Sequence, residues 1–178
     1  MSSLSSTPLA AWAQNLEENE SLDRVVALVR PFGDWFVAEP ARRDLLRGAW
    51  LGHAVHPTIT DVPIGLWTAA VTLDLLGGKS ARPAAQRLVG LGVLAAAPTA
   101  WTGWAEWSGA PAEQQRVGVV HVAGVGLTVI GFVASWRARR RGEHARGVAR
   151  GLAASAALVT TGFLGGHLSA MRKRREAS

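Results

Sequence analysis

Four long apolar runs constrain the fold of this chain more than any other feature. They cover residues 62–78, 88–107, 117–136 and 151–171. A helix that crosses about 30 Å of hydrocarbon needs about 20 mostly apolar residues. A soluble amphipathic helix would place a charge at every third or fourth position, and these runs hold almost none. The pattern therefore predicts four membrane-spanning helices.

The basic charge of the chain follows from this membrane topology. Its 19 Lys and Arg residues exceed its 13 Asp and Glu residues, which gives a net charge of +6. Such a balance is typical of nucleic-acid binders, but these cations lie in short clusters between the apolar runs. We therefore exclude nucleic acid as a partner. The absence of cysteine excludes disulfides, thiolate zinc sites and cysteine nucleophiles.

The loops between the apolar runs are short, so neighbouring helices must run antiparallel. We predict an all-α fold, an integral membrane antiparallel four-helix bundle over residues 51–171, followed by a basic tail over residues 172–178. Gly162 and Gly166 fit the small-xxx-small pattern of closely packed membrane helices. This pattern serves packing within the bundle or, alternatively, a contact between two copies of the chain in a homo-oligomer.

Residues 1–50 differ in character from the rest of the chain. Residues 2–8 are polar and lack the basic and apolar parts of a cleavable signal. A helix is predicted from Ser21 and is expected to break at Pro31 and Gly33, with a second short helix over residues 44–47. We interpret these segments as interfacial helices on the membrane, anchored by tryptophans at positions 12, 35 and 50. A soluble cap without lipid contact is the alternative.

Antiparallel connectivity predicts which polar residues share a membrane face. We call the side that holds the N-terminus side A. The start of the first span, the end of the second, the start of the third and the end of the fourth all lie there. Six residues of the kinds that bind cofactors or metals are expected on side A: His53, His56, Asp61, Glu106, His121 and His167.

Several of these residues also have a purely structural interpretation. His53 and His56 are suited to a loop before the first span, and Asp61 has the position of an N-cap, with Pro63 just inside the helix. His121 stands alone in an apolar span, which favours a functional role over a bond between helices. Asp74, on the opposite side, is expected to pair with Lys79 or Arg82.

Three kinds of chemistry use such a set. Two histidines on different helices can hold a b-type haem, for which the candidates are His53, His56, His121 and His167. Alternatively, all six side A residues, including Asp61 and Glu106, could ligate a divalent metal ion. A proton relay beside a quinone or a transported solute is the third possibility. The spacing of the residues does not choose among them.

The sequence resembles a bacterial four-span membrane family known as domain of unknown function 2231. The resemblance covers residues 45–170 and rests on Asp74, His121 and four motifs: LGHAVHP at 51–57, TDVPIGL at 60–66, GWAEW at 103–107 and LGGHL at 164–168. It implies a multi-pass protein of the bacterial plasma membrane. Relatives are sometimes fused to a Rieske-type domain, which implies an electron-transfer setting. A chain without cysteine cannot hold a Rieske centre, so that partner would be a separate protein.

The loop charges leave the orientation in the membrane almost balanced. Nine cations lie on the side opposite to side A and about as many lie on side A itself, so the positive-inside rule does not decide. The length of the N-terminal segment favours cytoplasmic termini by a narrow margin. The leading hypothesis is a redox-associated membrane protein that holds a haem or a metal ion on side A. The alternative is a non-catalytic membrane subunit or small transporter whose polar residues tie helices together or relay protons.

Overall fold

A computed structural model describes residues 7–176, and within this range the chain forms α-helices and short 3-10 turns but no strand. Three shorter helices come first: α1 (Pro8–Glu18), α2 (Asp23–Val37) and α3 (Pro40–Arg47). Four long helices follow: α4 (Val55–Leu76), α5 (Arg82–Trp107), α6 (Ala112–Arg140) and α7 (His144–Glu176). Residues 2–6 of the predicted polar start lie outside the described range.

The four long helices confirm the predicted fold class. Each is long and apolar enough to cross a membrane. They form two antiparallel hairpins, α4–α5 and α6–α7, and α4 and α6 stand at opposite corners, each in contact with α5 and α7. Glycines with positive φ, Gly78 and Gly142, lie in the two hairpin turns, where a side chain would be strained.

The helices are longer than the apolar runs. α4 begins at Val55 and α7 continues to Glu176, so most of the predicted basic tail is the last part of a helix. The early start of α4 is possible because Pro57 falls in the first turn, where the backbone N–H has no partner within the helix. Pro63 lies inside α4, and the hydroxyl of Thr99 lies 3.5 Å from the carbonyl oxygen of Ile59, which a proline at position 63 leaves without its helical donor.

The centre of the bundle is filled by two stacked aromatic rings. The rings of Trp67 on α4 and Phe132 on α6 lie 4.2 Å apart with an interplanar angle of 8°. The indole N–H of Trp67 donates to the carbonyl oxygen of Val89, 3.3 Å away. Gly92 on α5 faces the same indole, and a side chain there would collide with it. These contacts join the two hairpins through their apolar core.

A buried ion pair also joins the two hairpins. The guanidinium of Arg139 donates to both carboxylate oxygens of Asp74, at 2.7 and 2.6 Å. Each side chain is only 2% exposed, and the Nε of Arg139 donates to the hydroxyl of Ser135 at 3.2 Å. The expected pairing of Asp74 with Lys79 or Arg82 is therefore wrong. A charge this deep needs a partner within the bundle, and α6 supplies one.

The small-xxx-small pair on α7 does not pack within the bundle. A Cβ atom at Gly162 or at Gly166 would meet no other atom within 4 Å, so these glycines face outward. Other glycines make the close approaches instead: Gly131 faces Ala154 on α7, and Gly124 faces Thr161. The expectation that Gly162 and Gly166 pack inside the bundle is therefore wrong.

The N-terminal helices cover the side A end of the bundle. α1 buries Ala13 against Val117 and Leu164. α2 continues through Pro31 and Gly33, so the predicted break is wrong. The absence of a side chain at Gly33 lets α2 approach α5, because a Cβ there would lie 2.9 Å from the ring of Trp107.

The second predicted short helix is confirmed but begins earlier, at Pro40. The carboxylate of Glu39 accepts hydrogen bonds from the backbone N–H groups of Ala41 and Arg42, at 2.9 and 2.6 Å. These bonds cap α3 and hold the pKa of Glu39 below its ordinary value.

Removal of one partner of the buried ion pair should destabilise the bundle strongly. Asp74→Asn leaves the guanidinium of Arg139 buried without a counter-charge, which should lower the free energy of unfolding by about 3–5 kcal/mol. Unfolding in SDS, followed by circular dichroism, measures this loss. Glu143→Gln is the matched control, because it removes a carboxylate from the exposed pair with Arg146 and should cost less than about 1 kcal/mol. Equal losses in the two variants would contradict the role of the buried pair.

The attachment of α2 should weaken in acid. Arg116 on α6 donates to both carboxylate oxygens of Asp23, at 2.7 and 2.8 Å, and these bonds lower the pKa of Asp23. A lowered pKa in the folded state stabilises the fold above the unfolded pKa, and this stabilisation is lost as the pH falls through the folded pKa. We expect faster amide hydrogen exchange in α2 at acidic pH. Asp23→Asn should remove this acid dependence, and its persistence in the variant would contradict the assignment.

Candidate functional site

His56 is held by the neighbouring helix α5 through one ring nitrogen. Its Nδ1 lies 3.0 Å from the carbonyl oxygen of Thr99 and 3.1 Å from the hydroxyl of Thr102. A carbonyl oxygen can only accept, so Nδ1 carries the proton and donates. Within residues 7–176 no hydrogen bond to Nε2 is formed. The Nε2 lone pair of His56 is therefore available to a ligand.

The ring of His56 has space because residue 103 has no side chain. A Cβ atom at Gly103 would lie 2.9 Å from Cε1 of the imidazole. The hydroxyl of Thr102 donates to the carbonyl oxygen of Thr99 at 2.8 Å, so its lone pair faces the N–H of the ring. Thr99, Thr102 and Gly103 fix the position and tautomer of this histidine, and the sequence analysis did not single them out.

His121 has the same arrangement on the second hairpin. Its Nδ1 lies 3.0 Å from the carbonyl oxygen of Thr161 on α7, and Nε2 forms no hydrogen bond to any part of the chain that the structure describes. Residue 165 is again a glycine, whose Cβ would lie 3.1 Å from Cε1 of the ring. The sequence signal for both arrangements is a threonine followed four residues later by a glycine.

The two imidazoles lie on different hairpins of the bundle. They belong to α4 and α6, which stand at opposite corners of the bundle. Each ring directs its N–H toward the adjacent helix of its own hairpin. The structure thus places two imidazole Nε2 atoms that have no described hydrogen-bond partner near one end of the bundle, one from each hairpin.

The remaining side A histidines differ from this pair. Nε2 of His167 lies 2.5 Å from the carboxylate of Glu17, and both side chains are largely buried, so this ring attaches α1 to α7. His53 is exposed in the turn before α4, and its Nδ1 lies 3.1 Å from the carbonyl oxygen of Ala54. Neither ring is held by the threonine and glycine pattern of the other two.

The two acids of the predicted set, Asp61 and Glu106, have different surroundings. Asp61 is exposed and lies in the second turn of α4, while Ala54 occupies the N-cap position, so the N-cap interpretation is wrong. Glu106, at the end of α5, has one carboxylate oxygen 3.3 Å from a guanidinium nitrogen of Arg172. Its other oxygen is buried and has no hydrogen-bond partner among the described residues.

The six side A residues do not form one metal centre. Among residues 7–176, no three His, Asp or Glu side chains come together in a group that could hold a metal ion. What the structure brings together instead is a matched pair, His56 and His121, and a carboxylate, Glu106, between Arg172 and the first turn of α4.

Comparison with known proteins gives one match. A family model described as "Predicted membrane protein (DUF2231)" matches residues 52–174. Neither the curated proteins nor the solved structures contain a significant match. The matched region begins just before α4 and ends near the end of α7, so it covers the four long helices and both histidines of the matched pair.

Proposed function

Because the chain belongs to the DUF2231 family of predicted membrane proteins, whose description names no activity, we propose a function from the site itself. The chain is an integral multi-pass membrane protein with four spans. We propose that it takes part in electron transfer and that His56 and His121 bind a b-type haem at the side A end of the bundle. A bound haem would supply one-electron transfer at this position.

The observation that carries the proposal is the matched tethering of the two imidazoles. Histidines that bind metals through one ring nitrogen almost always donate the other N–H to a carbonyl or carboxylate, which fixes the tautomer and the ring orientation. His56 and His121 both donate Nδ1–H to a threonine carbonyl and keep Nε2 without a partner from the described chain. Both therefore have the hydrogen-bonding arrangement that a histidine holding a haem iron would need.

The composition of the site favours haem over the other two chemistries. A haem needs only two protein ligands, so the absence of a three-ligand group among residues 7–176 does not oppose it. A structural or catalytic zinc ion needs at least three ligands from the protein. Proton relays need connected polar groups, whereas His121 bonds to a backbone carbonyl that only accepts, and His56 bonds to such a carbonyl and to the Thr102 hydroxyl, which itself donates to that carbonyl. Of the four histidines considered for haem, these two are the ones whose surroundings fit.

The redox partner would be a separate protein. The chain contains no cysteine and cannot hold an iron–sulfur centre with cysteine ligands. A Rieske-type partner on side A of a bacterial plasma membrane is consistent with the proposal. His53 would then belong only to the loop before α4, and His167 would attach α1 to α7. Asp61 would face outward.

A second candidate function is favoured by the same hydrogen bonds. Each of His56, His121 and His167 bonds to another helix, which is also what a non-catalytic membrane subunit would need to hold its helices together. The two candidates differ in the role of Nε2. A purely structural role of His56 and His121 needs only the Nδ1–H of each ring, whereas a haem ligand needs both nitrogens.

Asparagine variants separate the two candidates. The side-chain amide of asparagine can donate from the position of histidine Nδ1, but it offers no counterpart of Nε2. We expect the protein purified from haem-replete cells to show a Soret band, and His56→Asn and His121→Asn to lose most of that band while they keep their thermal stability. Absorption spectroscopy and a pyridine haemochrome assay measure the haem content.

The control for this experiment is His53→Asn, whose ring lies exposed in the loop before α4 and should leave the spectrum unchanged. A wild-type protein without a Soret band would contradict the haem proposal. If the band is absent and the asparagine variants are as stable as the wild type, the structural role is favoured.

We also propose that α2 and the segment after it lie at the membrane interface on side A. The outward face of α2 carries Leu28, Phe32 and Trp35, which are 80%, 53% and 58% exposed. The ring of Phe32 contacts Trp104 at 5.0 Å, so this apolar face continues into the lipid-facing surface at the end of α5. Apolar helix faces of this kind bury themselves at the boundary between headgroups and acyl chains.

Spin-label accessibility tests the position of α2. The chain has no cysteine, so a nitroxide at Leu28→Cys reports one position only. In lipid nanodiscs we expect this label to collide more with oxygen, which concentrates in lipid, than with a water-soluble nickel chelate. Asp34→Cys, on the polar face of the same helix, is the matched control and should show the opposite preference. Equal access of the nickel chelate to both labels would favour a soluble cap.

A further inference from the structure

The helices α4 and α6 carry residues of the same kinds at the same spacing. Each contains a Val-His pair, Val55-His56 in α4 and Val120-His121 in α6. Eleven residues after the histidine each helix has a large aromatic residue, and 18 residues after it each has a charged residue that is buried in the bundle. These residues are Trp67 and Asp74 in α4 and Phe132 and Arg139 in α6.

The helices α5 and α7 repeat a second pattern. Both contain Ala-x-x-x-Thr-x-x-x-Gly, at residues 95–103 in α5 and 157–165 in α7. In each copy the threonine hydroxyl donates to the alanine carbonyl four residues earlier, at 2.9 Å in α5 and 2.8 Å in α7. In each copy the threonine carbonyl accepts from the histidine and the glycine faces the imidazole. The likeness therefore extends from the residues to their hydrogen bonds.

Burial follows the same register in both hairpins. The buried positions 63, 67 and 70 of α4 correspond to the buried positions 128, 132 and 135 of α6. In the same way, positions 89, 92, 99 and 102 of α5 correspond to positions 151, 154, 161 and 164 of α7, all of them buried. Most of the residue types at these positions differ, so the match is one of structure more than of sequence.

Equivalent residues of the two hairpins meet each other. Trp67 stacks on Phe132, and Asp74 pairs with Arg139. Spacings of 11 and 18 residues are close to three and five whole turns of a helix, so the histidine, the aromatic residue and the charged residue share one face. That face of α4 is therefore directed at the same face of α6. Since α4 and α6 run parallel, a twofold axis between them lies along the membrane normal.

We infer that the four spans are two copies of one two-helix unit, related by this pseudo-twofold axis, and that each unit contributes one imidazole to a single ligand site on the axis. The inference rests on the proposed haem function for the identity of the ligand. His56 and His121 lie at the same depth, about 16 Å from the stacked rings along the helix axis. Parallel repeats about such an axis are one of the ways in which membrane proteins build a central site.

The position on the axis makes specific demands on the ligand. A ligand on the axis would bind one equivalent nitrogen from each hairpin, on two opposite sides. Neither hairpin alone would complete the site. This requires one haem per chain with two imidazole ligands, not one haem per histidine. It also assigns equal importance to His56 and His121, although one lies at the beginning of its helix and the other well inside.

Spectroscopy of single variants tests the shared ligation. We expect one haem per chain with a low-spin, bis-imidazole electron paramagnetic resonance signal. His56→Asn and His121→Asn should each abolish that signal and should lower the haem content to a similar extent. Retention of the low-spin signal in one of the two variants, or two haems per chain, would overturn the shared site. Absence of haem from the wild-type protein would overturn the proposed function and the ligand assigned here.

A distance measurement tests the axis independently of any haem. The variant His56→Cys/His121→Cys carries two nitroxide labels that should face each other, with strong dipolar broadening of the spectrum. The matched control is Val62→Cys/Leu127→Cys, an equivalent pair of positions whose side chains are 50% and 66% exposed on the outer surface. Labels there should lie on opposite sides of the bundle and show no broadening.

The outcomes of the two experiments can be separated. Broadening in the histidine pair without haem in the wild type would retain the pseudo-twofold arrangement and remove the proposed function. Broadening in the control pair, or its absence from the histidine pair, would overturn the arrangement itself. Circular dichroism of each double variant in detergent verifies that the labelled proteins keep their helical content.

Discussion

The ion pair between Asp74 and Arg139 joins the two hairpins of the bundle, and the placement of the other polar groups follows the same constraint. Each side chain is only 2% exposed, so water compensates little of either charge, and the guanidinium of Arg139 also donates to the hydroxyl of Ser135. If α4 and α6 were displaced relative to each other along the membrane normal, both charges would be left unpaired. The pair therefore fixes the register between the hairpins. The stacked rings of Trp67 and Phe132 fill the space next to it.

The same register accounts for the arrangement on side A. Because α4 and α6 are aligned at the ion pair and at the stacked rings, His56 and His121 come to the same depth. The N–H of each ring donates a hydrogen bond to the other helix of its own hairpin, as a buried polar group must. The nitrogen that remains in each ring then has no partner from the described chain. This leaves a symmetric pair of acceptors, which is why the proposed function depends on these two residues.

Individual residues show what could be predicted from the sequence and where prediction failed. The four spans and the antiparallel order followed from run lengths and short loops, and the structure agrees with both. Prolines misled the helix boundaries, since Pro31, Pro57 and Pro63 all lie within helices. Pro57 costs no helical bond because it lies in a first turn, and the Ile59 carbonyl that Pro63 leaves without its helical donor lies 3.5 Å from the hydroxyl of Thr99. The partner of Asp74 was also missed, because it comes from a helix distant in sequence.

The sequence by itself determined the class of this protein, because hydropathy over about 20 residues reports a helix that can cross a bilayer. It also determined that the histidines other than His144 fall toward one end of the bundle, since the antiparallel order fixes the side of every helix end. Only the tertiary structure decided which histidines are equivalent. That depends on which face of each helix meets which neighbour. Such contacts distinguish His56 and His121, which each keep one nitrogen available, from His167, which bonds to Glu17.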